Sequence, residues 1–157
     1  MNLPVAEIPT DDEVQLGELT ASLGFLLRLA QVHTFDTFYE ILAPLGLKPG
    51  EFTVLWIIGL NPGQRQGTIA RVLKIKPAHM TKLIRRVVDA GYVTRTIPED
   101  DRRSVRLTLT AKGRRFVDTH KAAFLNFHRT ERAALTDGEY RDFLALLRKL
   151  IGIGEVR

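Results

Sequence analysis

Between residues 77 and 109 the chain changes its hydrophobic period, and that change restricts the fold more than any other feature. Over 77–90, Met80, Leu83, Ile84, Val87 and Val88 recur at helical spacing and define one apolar face. The opposite face carries His79, Thr81, Lys82, Arg85, Arg86 and Asp89. Gly91 follows as a helix stop, because glycine enters the left-handed conformation without a Cβ penalty. Tyr92-Val93-Thr94-Arg95-Thr96-Ile97 is then β-rich, and Ser104-Val105-Arg106-Leu107-Thr108-Leu109 alternates with period two. The two runs predict a hairpin with Asp100, Asp101, Arg102 and Arg103 at its tip.

The flanks read as helices. A short helix over 66–74 is predicted to bury Ile69, Ala70, Val72 and Leu73. Ile75-Lys76-Pro77 is the turn into the basic helix, with Pro77 at a first helical position. Upstream, Pro49 is expected to open a helix running to Gly59, ended by Asn61-Pro62-Gly63, with the segment to Gly67 read as a loop. Thr10 and Glu13 form a capping box ahead of a long helix that Ala43-Pro44-Leu45-Gly46 stops. Its apolar residues, from Leu16 to Leu42, spread beyond one stripe, as in helices that pack on a second subunit. After the hairpin a helix runs from Ala111 towards Arg132. Thr136 and Glu139 make a second capping box, and the last helix is expected to turn Phe143, Leu144, Leu147, Leu150 and Ile151 inward. The expected fold class is mainly α with a small β-hairpin wing (α+β).

Charge separates the middle of the chain from its ends. Residues 61–115 hold 14 Lys and Arg against four acids, a net +10, while the remainder holds nine against 14, a net −5. A basic centre between acidic flanks suggests a module for a polyanion. At 45% hydrophobic residues the chain can bury a core, and no apolar run is long enough to span a bilayer. The first ten residues lack the pattern of a secretory signal, so a cytoplasmic location is expected. The absence of cysteine excludes disulfides, thiolate zinc sites and thiol redox sensing.

Short helix, tight turn, basic amphipathic helix and hairpin with a basic tip make the winged helix-turn-helix plan, which suits duplex DNA. The major groove admits one helix whose exposed side chains meet base edges. The amino-terminal turn enters deepest, so His79, Thr81 and Lys82 are the expected base readers, while Arg85 and Arg86 lie further back, towards phosphate. An arginine on the hairpin suits a narrow minor groove.

The sequence resembles the MarR family of bacterial regulators. The resemblance rests on Ile69-Ala70-Arg71-Val72-Leu73, Met80-Thr81-Lys82-Leu83, Ala90-Gly91-Tyr92-Val93-Thr94-Arg95, and Asp101-Arg102-Arg103 followed by Leu107-Thr108-Leu109-Thr110-Ala111-Lys112-Gly113. It extends over about residues 16–151 and includes Leu45-Gly46-Leu47 and Phe52-Thr53-Val54-Leu55. It implies that Asp101 orients Arg103 at the wing tip and that Arg103 enters the minor groove; Arg102, beside it on the basic tip, is a further candidate for DNA contact. It further implies a homodimer through terminal helices at 1–45 and 113–157, a DNA-binding region at 46–112, and a cleft for a small effector. The effector implied is an aromatic or phenolic acid, or its coenzyme A thioester. Lys76 departs from the Ser or Thr cap common before the recognition helix, weakening the cap but adding a charge for phosphate.

Arg28, His33, Phe38 and Trp56 are the candidate effector residues, although aromatic residues at helical spacing are more often core. His120 and His128 are too far apart for a helical metal pair, and no metal or other cofactor is expected. Gly59, Gly63 and Gly67 lack the Gly-Lys-Ser/Thr of a phosphate loop, and no nucleophile and base stand together, so no enzyme is expected. The leading reading is a ligand-responsive repressor on a pseudo-palindromic operator. The rivals are an architectural binder without sequence preference and a winged-helix module that grips an acidic protein.

Overall fold

The computed structural model describes residues 14–154 apart from 49, 100, 102, 103 and 132–134, with backbone alone at 37, 38, 40–42 and 125–131. The elements are α1 (Leu23–Leu42), α2 (Glu51–Leu60), β1 (Gln64–Arg65), α3 (Gln66–Val72), α4 (Pro77–Asp89), β2 (Val93–Thr96), β3 (Arg106–Leu109), α5 (Ala111–Glu131) and α6 (Asp137–Ile151). A 3-10 turn at Gly17–Ala21 precedes α1, and another at Ala43–Leu45 ends it before Gly46 at φ 73°. The expected α+β class and helix-turn-helix order hold. No described helix is long and apolar enough to cross a membrane.

Two compact units form, one from residues 38–124 and one from the described residues before and after that span. Every buried apolar residue among those described belongs to the first unit. Its centre is Phe52, Val54, Leu55 and Ile58 of α2, Met80, Leu83, Ile84 and Val87 of α4, and Leu107 and Leu109 of β3. Burying an aliphatic side chain of this size contributes about 1.5–3 kcal/mol, so the four from α4 fix that helix firmly. Val72 does not join them: it is 65% exposed, because α3 ends there and its inward turn is filled by Ile69 and Ala70.

The sheet has three strands in the order β1-β3-β2, all antiparallel. β2 and β3 pair from Val93↔Leu109 to Thr96↔Arg106, so the expected hairpin, the wing, is present. The loop expected at 61–67 is partly wrong. Gln64 and Arg65 pair with Leu107 and Arg106, and the Gln66 amide donates to the Val105 carbonyl at 2.8 Å. α2 also begins later than expected, at Glu51, behind Gly50 at φ 85°.

The carboxy-terminal end of α4 is locked by several bonds at once. The Gly91 amide (φ 76°) donates to Val88 and the Tyr92 amide to Val87, at 2.8 and 2.9 Å. Lys112 Nζ donates to the Ala90 carbonyl at 2.7 Å, and Thr110 Oγ1 donates to the Gly91 carbonyl at 2.7 Å. The same Thr110 hydroxyl accepts from the Gly113 amide at 3.0 Å, starting α5. Gly113 lies so close to Tyr92 that a Cβ there would run into the Tyr92 carbonyl.

In the second unit α6 starts on the expected capping box. Thr136 Oγ1 and its amide both donate to Glu139 Oε2, and the Glu139 amide donates back to Thr136 Oγ1. The Thr10–Glu13 box lies outside the described residues. Leu144 and Leu147 are half-buried, but Phe143, Leu150 and Ile151 stay exposed on the single chain, against expectation. α1 does the same with Leu23, Leu26, Leu27, Val32 and Phe35.

Gly113→Ala is expected to cost on the order of 1–3 kcal/mol or more in urea unfolding, because backbone rather than a movable side chain blocks the new methyl. A second expectation concerns acid. The hydrogen bond from the Thr136 hydroxyl, then that from its amide, holds the Glu139 carboxyl below the usual glutamate value. A lowered folded value adds stability above the unfolded value and loses it as pH falls through the folded one. The stability gap between wild type and Glu139→Gln is therefore expected at neutral pH and should close in acid, in denaturation followed across pH.

Candidate nucleic-acid interface

α4 displays what its sequence promised. With Met80, Leu83, Ile84 and Val87 buried, His79, Thr81, Lys82, Arg85 and Arg86 are all exposed. Pro77 occupies the first position and Lys76 the N-cap, where its side chain makes no capping bond. The first amides of α4 are thus left to solvent or to an anion.

The exposed side chains are not equally available. Thr81 Oγ1 donates to the Pro77 carbonyl at 3.0 Å and accepts from Gln66 Nε2 at 3.5 Å, so α3 and α4 are joined through it. The Gln66 Oε1 atom beside this bond is buried without a partner among the described residues. Arg85 Nε lies 3.8 Å from Asp89, one turn on, with both side chains open to solvent.

Arg86 differs from its neighbour. Its Nε lies 3.1 Å from Glu51 Oε1, the Glu51 side chain being 6% and the Arg86 side chain 44% exposed. The other Glu51 oxygen accepts from the Lys48 amide at 2.8 Å. A carboxylate taken out of water needs such partners. The pair therefore fixes α4 to the start of α2, and Arg86 acts as a brace as well as a surface cation.

On the wing, Asp101 Oδ2 lies 3.1 Å from Arg65 of β1. The implied Asp101 partner, Arg103, and its neighbour Arg102 lie outside the described residues, so Arg65 is the partner the structure supplies. Arg106 Nη1 donates to the Gly63 carbonyl at 3.3 Å, and the Ser104 amide donates to the Asp101 carbonyl at 3.0 Å. The base of the wing is thereby tied to β1. Sequence reading missed Arg65 because a two-residue strand carries no period, and it met Lys112 only as part of a motif, since nothing local shows that its ammonium will bond to the end of α4.

The four candidate effector residues divide between the units. Arg28 and His33 are exposed on α1, in the unit outside 38–124. The Phe38 side chain lies outside the described residues. Trp56 is half-buried and edge-on to Phe52 and Phe124, with centroids 5.9 and 5.6 Å away. Rings continue from there: Phe52 meets Phe116, and Phe116 stacks on Tyr92 at 4.6 Å. Lys112 Nζ sits 4.8 Å above the Tyr92 ring while bonded to the end of α4. No group of three or more metal-ligating side chains occurs among the described residues.

Arg86→Ala is expected to cost about 2 kcal/mol of stability, less than the roughly 3–5 kcal/mol of a fully buried pair because Arg86 is partly solvated. Arg85→Ala should stay within about 0.5 kcal/mol. Thermal unfolding of the two variants side by side checks the contrast, and equal losses would remove the brace.

A family model described as MarR family matches residues 47–105. An HTH-type transcriptional repressor of Mycobacterium tuberculosis is 32% identical over 139 residues, 88% of this chain and 95% of that protein. Among solved structures, the transcriptional repressor CouR bound to a 23-mer DNA duplex superposes with a TM-score of 0.77 at 33% identity, over 90% of this chain and 99% of that one. CouR bound to p-coumaroyl-CoA gives a TM-score of 0.78 at 28% identity, over 88% and 98%.

Proposed function

The chain belongs to the MarR family of winged helix-turn-helix transcription regulators, which are DNA-binding proteins and not enzymes, and from that premise we propose a homodimeric repressor of a pseudo-palindromic operator that a small aromatic effector releases. The observation that carries it is α4: a basic, hydroxyl-bearing face held rigidly over a buried one, beside a hairpin. In this reading 46–112 is the DNA-binding region, and the protein works in the cytoplasm. His79, Thr81 and Lys82 meet base edges. Lys76, Arg85 and the part of Arg86 not engaged by Glu51 meet phosphate. Arg102 and Arg103 serve the minor groove from a wing anchored through Asp101.

The dimer is supported by the apolar side chains that one chain leaves in water. Leu23, Leu26 and Leu27 of α1 and Phe143, Leu146 and Leu150 of α6 are exposed, Leu146 to 65%. Segments 1–45 and 113–157 would bury them against a second copy, since soluble monomers rarely leave such surface uncovered. Two recognition helices would then address half-sites whose centres lie about one helical turn apart, roughly 34–36 Å.

The effector is an aromatic or phenolic acid, or its coenzyme A thioester, taken by Arg28, His33, Phe38 and Trp56. CouR with p-coumaroyl-CoA supports the class. Trp56 is only half-buried, so part of an aromatic ring is left accessible, and an exposed Arg28 suits a carboxylate or phosphate. An effector that favours a dimer with misplaced recognition helices shifts the population off DNA.

One titration series tests the whole reading. The protein is expected to bind a labelled duplex from upstream of its own gene more tightly than a scrambled duplex, with salt-dependent affinity. Equal affinities would favour an architectural binder, and no binding in dilute salt would favour a protein partner. Trp56 is the sole tryptophan, so p-coumaroyl-CoA should change its fluorescence over the same concentrations that release the duplex. Release without a fluorescence change would move the effector away from Trp56.

A further inference from the structure

Among the described residues, Lys74 is the one non-glycine residue with a positive φ, 55°. It stands at the end of α3, where the Lys74 amide donates to Arg71 at 3.2 Å and the Ile75 amide donates to Ala70 at 2.9 Å. The same pair of bonds, reaching back three and five residues, ends two other helices. At α4 the residue in Lys74's place is Gly91, and at α6 it is Gly152, with φ 76° and 72°. Both follow the ordinary solution, because glycine takes this conformation without strain. At the turn of the helix-turn-helix the protein holds a lysine in a conformation that costs an L residue energy. Strain that persists at an exposed turn points to a use for the side chain.

The surroundings indicate which use. From Gln66 to Val88 the sequence contains no acid. Lys74 is exposed between Arg71 and Lys76, and none of the three is in an ion pair among the described residues. Lys76 is the uncapped N-cap of α4. We propose that Lys74 is a DNA-backbone contact: the strained turn carries a lysine because its ammonium, with those of Lys76 and Arg71, grips phosphate beside the recognition helix. This rests on the DNA-binding reading above and adds a residue to it.

The proposal predicts opposite signs for stability and binding. Lys74→Gly should unfold at the same or a higher urea concentration than wild type, since strain is relieved. On the upstream duplex it should bind several-fold more weakly, with the slope of log affinity against log salt shallower by roughly 0.9 for each lysine lost. Lys74→Arg should keep the wild-type slope, and Lys74→Asn, which tolerates the conformation, should lose it. A Lys74→Gly protein with unchanged affinity and slope overturns the proposal. So does one that is less stable yet binds normally, because the lysine would then serve the negative end of α3. Wild-type protein that binds no duplex removes this proposal together with the reading beneath it, whereas wild-type binding with an unaltered variant removes this proposal alone.

Discussion

The recognition helix can present a polar face because its other face is not free to move. Met80, Leu83, Ile84 and Val87 lie in one core with α2 and β3. Apolar burial is strong but non-directional, so by itself it would let a helix slide or roll. Directional bonds remove that freedom: Glu51–Arg86 on the side, Thr81–Gln66 near the start, and the Lys112, Thr110 and Gly91 contacts at the end. A surface held this way loses less conformational entropy when it docks, so more of each contact appears as affinity.

Electrostatics are arranged with the same economy. The acid-free stretch from Gln66 to Val88 covers both helices of the motif, and the acids that do touch its neighbourhood are already committed. Glu51 is buried against Arg86, Asp101 faces Arg65, and Asp89 lies a turn behind Arg85. A polyanion approaching α4 therefore meets cations first, and the negative charges at the chain's ends do not lie on that helix. Burial of the Glu51 carboxylate matters doubly, because an exposed acid there would repel phosphate.

Much of this was legible because the decisive elements are long enough to show a period. Four turns of α4 and a hairpin with alternation announce themselves, and so does a capping box with Glu three residues after Thr. Shorter features do not. β1 has two residues, and its partner strand lies some forty residues on. Glu51 carries no signal of its own, since nothing local shows that its carboxylate will be buried against Arg86. Periodicity also reports that a face is apolar without saying what covers it. Hence Phe143, Leu150 and Ile151 were read as core, although in one chain they remain in water. Val72 failed for the opposite reason: its helix is too short to carry a full inward face.

The stretch that made the family recognisable, from Leu107 to Gly113, turns out to be mechanical. Leu107 and Leu109 fill the core, Thr110 and Lys112 bond to the last carbonyls around Gly91, and Gly113 lets α5 lie against Tyr92. None of these roles depends on which DNA is read. They solve a problem common to any such fold, that of ending one helix and starting the next without moving the first. The proposed base readers, His79, Thr81 and Lys82, stand on the face this apparatus holds still; His79 and Lys82 are exposed with no core residue resting on them, while Thr81 is tied to Pro77 and Gln66. The same apparatus joins the rings that run from Trp56 through Phe52 and Phe116 to Tyr92.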